Sequence, residues 1–205
     1  MTEDEARLWL QQSANVSRET LRRIERFVEI LIAENDRQNL IAPASIDHIW
    51  ARHIVDSAQL AFARRRGLWI DIGSGAGLPG LIIAMMRDAP MLLVEPRRKR
   101  ADFLSTTAAT LGLKNVTVAQ SDIGKVKAHA SVISARAVAG TAAIFDMAAH
   151  LSRPETQWVL PKGRNALNEL ESARDAWQGV FEVKPSVTET GSMIIVATGI
   201  ARKQP

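Results

Sequence analysis

The 205-residue sequence contains no cysteine. That excludes disulfides, thiolate zinc sites and a cysteine nucleophile, and it suits a reducing compartment. No apolar run approaches the length needed to cross a bilayer, and the start, Met1-Thr2-Glu3-Asp4-Glu5, is acidic where a secretory leader would be basic. The expectation is a cytoplasmic protein without a membrane partner. Repeats, low-complexity tracts and long linkers are also missing. What is present is ample core material, with 46% hydrophobic residues in a length that suits one domain with or without an extension. The net charge is +4 and the pI about 9.8. Most of the basic residues are arginines, which suit bidentate phosphate contacts. Such a balance alone says little about nucleic acid; its distribution says more.

The chain is organised around residues 68–80, Leu-Trp-Ile-Asp-Ile-Gly-Ser-Gly-Ala-Gly-Leu-Pro-Gly. Leu68 to Ile72 reads as a buried strand that breaks at Gly73, and Leu78 to Arg87 continues as a helix with Pro79 in its first turn. Strand, glycine loop and helix bring a ligand against backbone amides at a helix N-terminus. Glu95 closes the next apolar run at the distance where an acid meets ribose hydroxyls. Gly75, Gly77 and Gly80 also satisfy the G-x-G-x-x-G pattern of dinucleotide enzymes, but that register begins late after the strand. Asp71, at the strand's carboxyl end beside the loop mouth, would repel a pyrophosphate and welcome a cationic ligand. S-adenosylmethionine (AdoMet) is therefore the preferred cofactor, and NAD the competitor. No metal is expected.

Ahead of this loop the pattern is helical. Thr2 and Glu5 form a capping box, Ser17 caps a longer helix with Leu21, Ile24, Phe27, Val28, Leu31 and Ile32 on one face, and Ser45 is placed to cap a third. In that third helix Arg52 and Asp56 stand one turn apart, within pairing reach, and His53 faces the apolar side as a packed residue. Arg64-Arg65-Arg66 lead into the strand. From there strands and helices alternate, the mark of a parallel sheet covered on both faces. The strands are Trp69 to Ile72, Met91 to Val94, Val116 to Ala119, Val132 to Ala135 and Gln157 to Leu160, with Phe181 to Val183 and Met193 to Ala197 as a terminal pair. Helices fill Arg98 to Leu111, Thr141 to Leu151 and Ala166 to Trp177, with Gly112 and Gly179 as stops. Residues 1–66 form a helical extension, and 67–205 the core.

Arg97-Arg98-Lys99-Arg100 sit at a helix start, where positive charge opposes the macrodipole at about 0.3–1 kcal/mol each. They lie at the ligand rim of the sheet, so an RNA phosphate path competes with a simple solvated charge run. The loop after the third strand offers Asp122 and the Ile123 amide to an adenine; a helix cap is the alternative. After the fourth strand stands Ser134-Ala135-Arg136-Ala137, with no Asn-Pro-Pro-aromatic motif. That disfavours methylation of exocyclic amines, and the missing cysteine excludes the covalent route to pyrimidine carbon-5. Ring nitrogens and ribose oxygens remain. Guanine N7 carries a free lone pair, so an enzyme for it works by positioning, without a general base.

Taken together, Asn39-Leu40, Arg52-His53-Ile54-Val55-Asp56-Ser57, Asp71 to Gly80, Lys99-Arg100 before Phe103-Leu104, Ser134-Ala135-Arg136-Ala137 and Lys162-Gly163 resemble the RsmG (GidB) family of 16S rRNA guanine-N7 methyltransferases. The resemblance implies an α/β fold of the class I, Rossmann-like AdoMet-dependent type, with a seven-stranded, mostly parallel sheet and an N-terminal helical extension. It implies Gly73, Leu78, Ile123, Gly124 and Arg136 around AdoMet, beside Asp71, Gly75, Gly77, Glu95 and Asp122 from the reading of the residues above. Arg136 and Lys162 would orient the base or its phosphate, and Arg52 with Arg97, Arg98, Lys99 and Arg100 would hold RNA. The implied partner is 16S rRNA in the small ribosomal subunit; the sequence does not give the oligomeric state, and a monomer is the favoured expectation. Two departures stand out: Gly124 replaces a usual acid, and Ile41-Ala42-Pro43 replaces a polar segment. A small-molecule methyltransferase, and a non-catalytic RNA- or nucleotide-binding module or a dinucleotide oxidoreductase, are the competing readings.

Overall fold

A computed structural model describes residues 1–63 and 66–204. Arg64 and Arg65 of the basic triplet lie outside the described residues. Helices α1 (Glu3–Gln12) and α2 (Arg18–Gln38) open the chain. The capping box at Thr2 and Glu5 forms, and Ser17 Oγ accepts from Thr20 N at 3.1 Å; each such cap is worth about 1 kcal/mol. Asn39 ends α2 in the left-handed region, at φ 49°.

Residues 43–62 are helical but irregular. A 3₁₀ turn (Pro43–His48) leads into a π-helical turn (Trp50–Val55), a short α3 (Asp56–Ala58) and a second 3₁₀ turn (Gln59–Phe62). Ser45 is therefore not a helix cap; it lies inside the first 3₁₀ turn, and its hydroxyl donates to the Ala42 carbonyl at 2.6 Å.

Alternation follows: β1 (Trp69–Ile72), α4 (Gly80–Met86), β2 (Met91–Val94), α5 (Arg98–Thr110), β3 (Val116–Ala119), β4 (Val132–Ala135), α6 (Thr141–Ala148), β5 (Gln157–Lys162), α7 (Ala166–Ala176), β6 (Trp177–Pro185) and β7 (Met193–Arg202). Among the described residues seven strands form one sheet in the order β3-β2-β1-β4-β5-β7-β6. The first five are parallel, while β7 runs antiparallel to both β5 and β6. The strand order reverses between β1 and β4, which are parallel, and this switch point opens a crevice at the carboxyl edge. Strands β5, β6 and β7 run longer than the sequence reading expected, and two residues act differently from it. Pro79 precedes α4 rather than sitting within it. Gly179 does not stop a helix; it falls inside β6, at an irregularity between Gln178 and Val180, because α7 runs directly into that strand.

Period-two alternation divides the core. Trp69, Leu93 and Val132 join Ile24, Phe27, Leu31, Leu60 and Leu81 on one face. Ile70, Ile72, Ile133 and Trp158 join Phe145 and Leu170 on the other. Residues 1–63 thus pack over the α4–α5 face and bring segment 43–62 to the sheet's carboxyl edge. Among the described residues no helix is long and apolar enough to cross a membrane.

Candidate active site

After Ile72 the chain turns through Gly73, Gly75 and Gly77 at φ +62°, +51° and +84°, a region that L side chains enter only with strain. Space matters equally. A Cβ on Gly77 would lie 2.4 Å from Leu81 Cδ1, and one on Gly80 2.3 Å from Leu93 Cδ2. Gly73 allows Val138 to close over it, at 2.8 Å from where its Cβ would be. Gly75 is the open position: a Cβ there would meet only Gly73 O at 3.6 Å and Arg100 Nη1 at 3.7 Å. Leu78 follows, buried against the loop's own core.

Asp71 corrects the sequence reading. It is fully buried rather than set at the loop mouth, because alternation along β1 turns it with Trp69 toward α4. Ser134 Oγ donates to its Oδ1 at 2.6 Å and Gly80 N to its Oδ2 at 3.3 Å, while Trp69 Nε1 donates to Ser134 Oγ at 2.8 Å. Burial pushes its pKa up to about 6, against the partial relief of these hydrogen bonds. A direct ion pair with a ligand is not available to it here. Glu95 is similarly enclosed. Its carboxylate accepts from Gly75 N and Arg97 N, both at 2.9 Å, so it braces the loop from the end of β2.

Asp122 and Gly124 are exposed and Ile123 half-buried, at a 3₁₀ turn (Ile123–Lys125) beyond β3. No side chain caps this turn; Asp122 instead lies 3.5 Å from Lys125 Nζ at the surface.

Arg136 is the centre of a network that the sequence did not announce. β4 ends at Ala135 and the chain bends sharply, with Ala137 at φ +54°, a conformation costing about 1–2 kcal/mol for a residue with a Cβ. Such strain gathers at working sites. The Arg136 guanidinium reaches across to segment 43–62. Its Nη1 lies 3.1 Å from Asp56 Oδ2 and 3.3 Å from the Arg52 carbonyl, and its Nη2 3.2 Å from His53 Nδ1. The expected Arg52–Asp56 pair is thus replaced by Arg136–Asp56. The π-helical turn alters the spacing that an α-helix would impose. Gln59 Nε2 donates to Asp56 Oδ1 at 3.0 Å, and Thr188 Oγ1 donates to the same oxygen at 3.4 Å.

His53 is half-buried in this polar chain, not packed among apolar groups. Its Nε2 lies 2.7 Å from Ser45 Oγ. Since the Ser45 hydrogen goes to Ala42, Nε2 carries the imidazole proton and Nδ1 offers a lone pair to Arg136. Burial, then the charges of Arg136 and Arg52, lower its pKa to about 4. Further back, Glu3 accepts from Trp50 N and Ala51 N, both at 3.0 Å, and Arg7 stacks 3.8 Å over the Trp50 ring. The first helix therefore anchors the turn that carries His53.

Lys162, at the end of β5, is committed inside the protein. Its ammonium lies 2.8 Å from Glu169 Oε2 and donates to the Ala139 carbonyl at 2.7 Å, with 8% of the side chain exposed. Glu169 Oε2 also accepts from Thr141 N and Oγ1. The pair ties the 136–139 bend to α6 and α7. Around these groups opens a cleft of about 930 Å³, lined by Arg52, His53, Asp56, Arg136, Val138 and Lys162 among others. Val138 is shared with the glycine loop, so cleft and loop adjoin. Arg97, Arg98 and Lys99 are exposed at the start of α5, and Arg98 makes one surface pair with Asp102 at 3.8 Å. Glu169, Glu3 and the His53–Arg136 contact escaped the sequence reading, and Ser45 was read there only as a helix cap. Glu3 and Arg136 meet partners far along the chain, and the nearer Ser45–His53 and Lys162–Glu169 pairs join different elements or turns, so no local spacing marks them.

Comparison with known proteins follows the same lines. The family model for rRNA small subunit methyltransferase G (GidB) matches residues 20–193. The ribosomal RNA small subunit methyltransferase G of Sphingopyxis alaskensis is 50% identical over 95% of this chain and 85% of its own length. That of Novosphingobium aromaticivorans is 42% identical over 100% and 92%. Among solved structures, the ribosomal protein L11 methylase of Lactobacillus delbrueckii subsp. bulgaricus superposes with a TM-score of 0.55 at 16% identity, covering 72% of this chain and 78% of that one. The last match concerns the fold alone, a class I methyltransferase sheet.

Proposed function

The chain belongs to the rRNA small subunit methyltransferase G family, and from that premise we propose that its cleft methylates N7 of a guanine in 16S rRNA of the small ribosomal subunit, in the cytoplasm. It is an AdoMet-dependent enzyme. The bound cofactor supplies an electrophilic methyl group on a sulfonium. The residues at the sheet's carboxyl edge fit it: an open backbone face at Gly75, Glu95 beneath it, and the exposed turn at Asp122, Ile123 and Gly124. Gly73, Gly77 and Leu78 shape the loop from below, and Asp71 holds it through Gly80.

One observation carries the choice of acceptor. The half-buried titratable groups of the cleft are committed to one another: Asp56 to Arg136, His53 to Ser45 and Arg136, Glu169 to Lys162. Such a cleft positions and desolvates rather than removing protons, and guanine N7 needs no proton removed. Arg136 orients the base or its phosphate, Lys162 builds the wall behind it, and Arg52 with residues 97–100 supplies a basic rim for the RNA backbone.

The test is transfer of labelled methyl from AdoMet to small subunits from a strain lacking this enzyme, mapped by chemical cleavage at N7-methylguanine. A single strong cleavage site is expected. Labelling of small molecules but neither subunits nor their RNA would replace this reading with the small-molecule one.

A further inference from the structure

The Arg136 guanidinium has two usable edges. Its Nη1 and Nη2 groups face Asp56, the Arg52 carbonyl and His53. The other edge, Nε–H with the second Nη2 hydrogen, has no partner among the described residues, and the side chain lines the cleft. A guanidinium held this way presents two parallel donors, a match for an oxyanion.

We propose that His53 is a positioning residue for Arg136: Ser45 fixes the imidazole with its proton on Nε2, and the bare Nδ1 then aims the guanidinium so that its free edge meets an oxyanion in the cleft. The oxyanion is a phosphate of the bound RNA or the carboxylate of the cofactor. The proposal rests on the methyltransferase reading above.

Three observations converge on it. The direction of each hydrogen bond from His53 to Ala42 is determined, because the Ala42 carbonyl only accepts. Asp56, the charged partner, is itself pinned by Gln59 and Thr188, so the guanidinium is gripped at both nitrogens of one edge. Ala137 is held in a left-handed conformation directly after Arg136, which sets the direction in which the arginine leaves the strand. A protonated His53 would present an N–H where the guanidinium already donates, and its lowered pKa of about 4 agrees with the neutral form.

Two substitutions separate the two faces of the ring. His53→Asn keeps an acceptor near the Nδ1 position and loses the reach to Ser45. His53→Gln keeps a donor near the Nε2 position and loses the acceptor for Arg136. At saturating AdoMet, His53→Gln and His53→Ala are expected to lower kcat on small subunits by about tenfold or more, and His53→Asn to recover most of it. Equal losses in Asn and Gln variants, tracking a common fall in thermal stability, would overturn the proposal. Arg136→Lys keeps the charge and removes the fork: a raised KM for subunits assigns the phosphate, a weakened AdoMet affinity assigns the carboxylate, and neither change overturns the oxyanion fork. ¹⁵N NMR of the imidazole in the wild-type enzyme is independent of activity. A proton on Nε2 is expected, and a proton on Nδ1 would overturn the assignment even if the enzyme methylates subunits. An inactive wild-type enzyme with the Nε2–H tautomer intact would instead count against the functional reading.

Discussion

The glycine loop and the arginine pocket adjoin at Val138, yet they are built in opposite ways. The loop's own backbone amides are held by neighbours in sequence, Gly80 by Asp71 across 9 positions and Gly75 by Glu95 across 20, although Asp71 is itself braced by the more distant Ser134. The pocket is held by strangers: Arg136 to Asp56 across 80 positions and Thr188 to Asp56 across 132. Each contains a titratable group displaced by burial, in opposite senses. The Asp71 pKa rises because burial penalises its anion, and the His53 pKa falls because burial penalises its cation. The difference separates two tasks. The loop is part of the folding unit, with no room for a side chain at Gly73, Gly77 or Gly80 and an open face only at Gly75, while the pocket is a polar assembly whose geometry serves a ligand.

That division is open to attack, beginning with the loop. Gly77→Ala adds a Cβ 2.4 Å from Leu81 Cδ1 at φ +84°. A loss of about 2–4 kcal/mol is expected in chemical denaturation, with AdoMet binding falling alongside. A variant as stable as wild type would break the contrast.

Arg136→Ala should do the reverse, lowering methyl transfer by about 10²-fold while costing about 1–3 kcal/mol for the half-buried Asp56 left unpaired. Activity and denaturation measured on the same preparation decide it.

Smaller effects distinguish the two titrating groups. The folded pKa of Asp71, about 6, lies above its ordinary 3.8. Its contribution is therefore full below about pH 3.8 and lost as pH rises through 6. Relative to Asp71→Asn, wild type should lose on the order of 3 kcal/mol between about pH 4 and 7. For His53 the folded value, about 4, lies below the ordinary 6.5. Its contribution is present above pH 6.5 and lost as pH falls through 4, so His53→Asn should gain on wild type in acid. Denaturation series at several pH values test both signs. The smallest effect belongs to the rim: neutralising Arg97, Arg98 and Lys99 should flatten the salt dependence of RNA binding by roughly one unit of slope per lost phosphate contact.

How much of this could be read in advance follows from the same division. Four of the strands coincide with their apolar runs; for β1, β2 and β4 the reason is that a parallel strand buried on both faces is marked by residues contiguous in sequence, while β3 is a more exposed edge strand. The glycine pattern and Glu95 were legible for the same reason. The direction of Asp71 was not, because motif spacing says nothing of which face of β1 meets α4. Segment 43–62 misled most. Its apolar periodicity suited an α-helix, but it winds as 3₁₀ and π turns, tied within itself by Ser45 to His53 and from outside by Glu3 and Arg136, contacts that periodicity does not report. Lys162 was found as a residue of interest, while its partner Glu169 sits on another element without a local signal.

The central claim is that the cleft acts by positioning, with no group removing a proton. The most direct test is the pH dependence of single-turnover methyl transfer to small subunits at saturating AdoMet. Positioning alone predicts a rate that is level from about pH 6.5 to 8.5, in wild type and in His53→Asn alike. A rate climbing in proportion to hydroxide anywhere in that range would reveal a general base and contradict the account.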